Sequence, residues 1–135
     1  MMSTENAITE EQTQQWVREQ YLNATKYLAE KGVVTQSVEV QTSRYLAPIF
    51  AVWKLKTIDN DAIWVISGDL PCDHIQAEAA DTVRDSLRHF SMKWQLQAQN
   101  IAGTTTEQAQ FAKFLVGRAE GLYQLFENEN LWKEG

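Results

Sequence analysis

Asp69, Cys72, Asp73 and His74 fall within six residues, inside the run WVISGDLPCDHI at 64–75. The run holds the chain's one cysteine and one of its two histidines. A thiol, an imidazole and a carboxylate are the parts of a nucleophilic site, in which the imidazole takes the proton and the carboxylate orients the ring. On that reading Cys72 attacks, His74 or His89 is its base, and Asp69 orients the base. A helix beginning just after Cys72 would add its dipole and lower the thiol pKa. Asp85 and His89 lie four residues apart, on one helical face, at a spacing that suits paired metal ligands. Asp69, Cys72 and His74 are therefore the candidate catalytic residues, and Asp85 and His89 the candidate metal ligands.

Each of these residues also has an architectural role open to it. Gly68 ends an apolar run where the backbone needs φ > 0. Pro71 lacks the N–H that a continued ladder requires. Asp73, with Gln76 three residues later, has the pattern of a helix N-cap. Asp81, Arg84, Asp85, Arg88 and His89 alternate in sign opposite Val83, Leu87 and Phe90, as a solvated helix face does. No HExxH, paired CxxC, Walker loop, GxGxxG or GxSxG occurs. On one straight helix starting near residue 74, His74 and His89 would stand about 22 Å apart and could not share a site. The architectural reading is preferred, and no cofactor is expected.

The elements that must position these residues can be read from periodicity. TEEQ at 9–12 is a capping-box pattern, and Val17, Tyr21, Ala24 and Leu28 form one apolar stripe, with Gly32 as the stop. A helix is expected over 9–31. PIFAVWKLK and AIWVIS have the aromatic and β-branched composition of strands, joined by the turn residues DND. They predict an antiparallel hairpin, 49–57 with 62–67. Ile49 to Val52 and Ile63 to Ile66 are apolar on both faces, so that end must be covered twice, by helices, another strand or a second subunit. SVEVQ at 37–41 is a candidate third strand. Val83, Leu87, Phe90, Trp94, Ala98 and Ile101 mark a helix over 74–101. Thr104 or Thr105 caps another, with a stripe of Phe111, Phe114, Leu115, Ala119, Leu122, Leu125 and Phe126.

The fold class is α+β: an N-terminal helix, a small antiparallel sheet and two long C-terminal helices. Residues 1–8 are expected to be a disordered tail, and 9–135 a single domain. Gly117 and Gly121, four apart inside the last helix, imply close approach of the sheet or of the same helix of a second subunit. Trp53, Trp64 and Trp94 fall on apolar faces and belong to the core. Trp16 and Trp132, near the ends, are candidates for exposed interface residues.

The net charge of −6 opposes nucleic acid, and KLK at 54–56 is the longest basic element. No apolar run approaches the roughly 18 residues of a membrane span. The first residues lack the basic and apolar regions of a secretory signal. One cysteine suits a reducing cytoplasm and forbids an internal disulfide framework.

SRYLAP at 43–48, VWKLK at 52–56, WVISGDLPCDH at 64–74 and RHFSMKWQL at 88–96 resemble a small gammaproteobacterial family, the domain of unknown function DUF4826. The resemblance spans nearly the whole chain. It implies a bacterial, cytoplasmic protein with no assigned activity, so it transfers no catalytic residue. The expected function is a small acidic module that binds another protein or forms a homodimer, chaperone-like or immunity-like in bulk properties only. The alternative is a small enzyme or metal-binding protein built on the Asp69–Cys72–His74 corner.

Overall fold

Buried backbone groups must find partners, and in this chain the aromatic hairpin determines where they are found. The computed structural model describes residues 9–101 and 105–133, so the expected tail at 1–8 and Thr104 lie outside the described residues. The chain falls into two compact units, one ending at Ala77 and the other beginning at Glu78. In chain order the first contains α1 (Glu10–Glu30), β1 (Thr35–Val38), β2 (Arg44–Leu46), β3 (Phe50–Thr57), β4 (Ala62–Gly68) and β5 (Asp73–Gln76). The second contains α2 (Val83–Ile101), α3 (Thr106–Glu127) and the short α4 (Glu129–Trp132).

Helix α1 begins as its sequence dictates. Gln12 N–H donates to Thr9 Oγ1 at 3.0 Å, and Thr9 N–H donates back to Gln12 Oε1 at 2.8 Å. It ends at Gly32, φ +82°, where Gly32 N–H reaches Ala29 O and Val33 N–H reaches Leu28 O. Strands β3 and β4 pair antiparallel from Phe50 opposite Gly68 to Lys56 opposite Ala62. Asn60 takes the left-handed position of their turn, φ +72°.

The sheet is larger than expected. Five strands are paired among the described residues, in the order β1-β3-β4-β5, with β2 also on β3. Ser37 and Val38 of SVEVQ end β1, whereas Val40–Thr42 form a 3-10 turn between β1 and β2. Ala51, Trp53, Leu55, Ile63 and Val65 form a core with Ala24 and Leu28 of α1. On the opposite face Phe50, Val52, Trp64 and Ile66 are at most 1 % exposed. Both faces of the hairpin are therefore buried. Lys54, on the same face as Phe50 and Val52, holds its ammonium 5.4 Å from the Trp64 ring centroid.

The helix expected from residue 74 begins nine residues later. Residues 73–76 are strand, antiparallel to β4, with Ile75 buried opposite Trp64. Asp73 is thus not an N-cap. Thr82 takes that role, its Oγ1 accepting Asp85 N–H at 3.1 Å and its carbonyl accepting Ser86 N–H. The physical reason is the demand of β4. Strand β5 supplies backbone partners to the second edge of β4, where buried groups left unpaired would cost about 1–3 kcal/mol each.

In the second unit α2 and α3 pack on each other. Ser91 Oγ donates to Ala119 O at 2.7 Å, and Arg84 Nε donates to Phe126 O at 2.8 Å. Thr105 caps α3 by accepting Gln108 N–H. The buried line of α3 is Ala112, Leu115, Ala119 and Leu122. Phe111 and Phe114, expected in the buried stripe, are 44 % and 39 % exposed. A Cβ added at Gly117 or Gly121 meets nothing within 4 Å, so approach of the sheet is not the reason for these glycines.

Gly68, at φ +138°, has a stricter requirement than Gly32: an added Cβ would collide with the Ile49 carbonyl and lie 2.8 Å from Phe50 Cα, whereas Gly32 has open space. In urea denaturation Gly68→Ala is expected to lose about 2–3 kcal/mol. Gly32→Ala should lose only the left-handed penalty, about 1 kcal/mol. Equal losses would refute this account of the β4 terminus.

Candidate functional site

The register of β5 decides which of the corner residues meet. His74 lies opposite Val65, and Asp73 opposite Ile66. Val65 belongs to the face that packs on α1, so His74 points the same way. Tyr27 stands on α1 one turn beyond buried Ala24, where it reaches the strand. Tyr27 Oη is 2.9 Å from His74 Nδ1 and 3.5 Å from Asp73 Oδ1. The two rings meet edge-on with centroids 5.6 Å apart. Asp73 Oδ1 also accepts the backbone N–H of His74 at 2.7 Å. From the last turn of α1, the Lys31 ammonium lies 5.2 Å from the Tyr27 ring centroid.

The electrostatics of this cluster oppose nucleophilic chemistry. Burial, then the neighbouring Asp73 charge, pushes the Cys72 thiol above its ordinary pKa. The expected thiolate rested on a helix N-terminus just after Cys72, but a strand begins there instead. Burial likewise holds the Tyr27 phenol well above its ordinary range. The charges of Asp73 and Cys72 and the hydrogen bond to Asp73 act in the same direction. Thiol and phenol therefore both keep their protons at neutral pH.

Other candidates lie elsewhere. Asp69 is exposed, and its backbone N–H closes the turn onto Ile49 O at 3.0 Å. Asp85 sits in the first turn of α2, three residues after the Thr82 cap, where a carboxylate complements the helix dipole. His89 is exposed one turn later, beside a shallow hollow of about 270 Å³ that Glu78, Asp81, Asp85 and Arg88 also line. Among the described residues no three His, Cys, Asp or Glu side chains gather as a metal site. Trp16 is half-buried on the α1 core and Trp132 is half-buried with its indole N–H on Leu125 O, so neither is the exposed side chain expected. Trp53, Trp64 and Trp94 are core residues, as expected.

The sequence reading missed Tyr27. Its available signal was a polar-tipped aromatic on the flank of the Ala24–Leu28 stripe. That signal acquires meaning only once the 73–76 segment is known to be strand.

A direct test is alkylation of Cys72 with iodoacetamide across pH. The expected rate at pH 7 is below that of a small free thiol, with the rise of the rate displaced to higher pH, because the folded environment disfavours thiolate. A rate faster than the free thiol would show an activated cysteine.

Among the described residues no helix is long and apolar enough to cross a membrane. No curated protein and no solved structure matches the chain. The family model of DUF4826 matches residues 10–132, from the first turn of α1 to the end of α4, and the chain belongs to this family, a domain of unknown function.

Proposed function

We propose that this chain is an acidic, cytoplasmic interaction module that pairs with a second copy of itself through the outer face of α3. The observation that carries the reading is the make-up of that face. Phe111, Phe114, Gly117, Gly121 and Leu125 follow at spacings of three, three, four and four, one stripe along the helix. Phe111 and Phe114 are exposed, and Leu125 is half-buried.

Each glycine inside a helix costs up to about 1 kcal/mol relative to alanine. Neither is needed for packing within the chain, since a Cβ at either meets nothing within 4 Å. Two glycines between exposed aromatics allow another helix backbone to come close, and the phenyl rings then fill the space on either side. An identical helix satisfies both requirements at once, because a two-fold axis sets the same patch against itself.

Charge separates this reading from an immunity-like one. Two copies, each of net charge −6, repel each other. Salt should therefore strengthen apolar self-pairing, whereas it would weaken capture of a basic partner.

Sedimentation velocity over a concentration series is the test. The wild type is expected to dimerise and to do so more tightly as salt rises. Phe114→Glu and Gly117→Leu should remain folded monomers. Gly117→Ala should gain up to about 1 kcal/mol in monomer stability while weakening the dimer. A wild-type chain that stays monomeric at all concentrations and salts would overturn the proposal.

A further inference from the structure

The contact between α1 and β5 joins three groups that exchange protons or hydrogen bonds, and its geometry accommodates either protonation state of the imidazole. A tyrosine hydroxyl both donates and accepts, whereas an imidazole nitrogen does one or the other according to its protonation. When Nδ1 is bare, the Tyr27 hydroxyl donates to it across 2.9 Å. When Nδ1 carries a proton, that proton is donated to Tyr27 Oη. The hydroxyl hydrogen is then free to turn toward Asp73 Oδ1, 3.5 Å away. That oxygen already accepts the His74 backbone N–H and retains a second lone pair. Protonation adds one proton to the ring and reverses one hydrogen bond, and every group keeps a partner.

We infer that the Tyr27–His74–Asp73 chain is a proton-operated latch, which ties the C-terminal half of α1 to β5 more firmly when His74 is charged. The balance of nearby charges decides its sign. Asp73 supplies the negative charge, bonded to the backbone of His74 and within reach of the same hydroxyl. Lys31, on α1, supplies the opposing positive charge. It is exposed and lies over the Tyr27 ring, where water screens it. Cys72 and Tyr27 stay neutral, and the residues of β4 opposite the pair, Val65 and Ile66, carry no charge. Half-burial of the imidazole opposes its charging. The adjacent carboxylate and the accepting hydroxyl act in the other direction, since both favour the imidazolium directly.

With two histidines in the chain, one experiment carries its own reference. His89 is exposed on α2, outside the Tyr27–His74–Asp73 contact, and supplies a second imidazole signal. In an NMR titration of the ring protons, Tyr27→Phe and Asp73→Asn are each expected to lower the His74 midpoint relative to wild type, while the His89 signal is unchanged between them.

The stability consequence has a definite sign. A folded-state pKa raised above the unfolded value of about 6.5 gives stabilisation that is fully present below that value and lost as pH rises through the folded pKa. The wild type's advantage over Tyr27→Phe in urea denaturation should therefore grow as pH falls from 8 to 6. If Tyr27→Phe fails to fold, the wild-type titration and Asp73→Asn still decide. A His74 midpoint that is unmoved or raised by either substitution overturns the latch.

Discussion

Strand β4 runs fully buried from Ile63 to Ser67, and its backbone hydrogen bonding is the constraint on which the N-terminal unit rests. Strand β3 satisfies one edge over the whole length of the hairpin. Strand β5 satisfies the other edge from Ile63 to Ile66, where the chain returns and lies beside it. Gly68 makes this return possible with a backbone that only glycine adopts there without collision. Asp69 then fastens the turn to Ile49 through its N–H. Once β5 is in register, the alternation of a strand sends His74 to the α1 face and Ile75 to the Trp64 face. The meeting of Tyr27 with His74 is thus a consequence of backbone pairing, several steps removed from either side chain.

Where one element carried its own signal, the sequence was legible. The Thr9–Gln12 box, the stop at Gly32, the DND turn around Asn60 and the Thr105 cap are local chemistry, and each stands where its residues put it. The hairpin was legible for the same reason: eight and seven residues of aromatic and β-branched side chains leave little choice. Strand β5 was not. DHIQ is too short to show alternation, and Asp73 with Gln76 imitates a capped helix start. What selects the strand is pairing with the edge of β4, which the turn chemistry around Pro71 does not itself reveal. The true cap, Thr82 with Asp85 at the third helical position, was equally available, but the apolar spacing beginning at Val83 was extended backward past it.

The same logic explains the partial reading of the site. Asp73 and His74 were noticed as reactive types, but their partner came from a helix whose relation to them depends on an unrecognised strand. The aromatic stripe of α3 was over-read in the opposite direction. Phe111 and Phe114 lie next to the buried line of Ala112, Leu115, Ala119 and Leu122, within reach of the apolar periodicity. The residues that α3 buries against α2 are small or aliphatic, and backbone-directed bonds from Ser91 and Arg84 tie the two helices. A phenylalanine beside that line has no place in so close a contact and turns outward.

Two kinds of unusual residue therefore separate on physical grounds. In the 64–75 corner three of the odd residues are used by the fold: Gly68 for its φ, Asp73 for a backbone bond, His74 for Tyr27. Cys72 is left in surroundings that keep it protonated, so reactivity is what this corner suppresses. On α3 the reverse holds. Gly117 and Gly121 weaken the helix, and an added Cβ at either meets nothing within 4 Å. Phe111 and Phe114, stacked on each other with Arg118 over the Phe114 ring, remain exposed. Glycines that cost helix stability beside exposed aromatic rings are the feature on which the proposed pairing rests. The unexplained cost therefore lies on α3, and the search for function belongs on that face rather than at the cysteine.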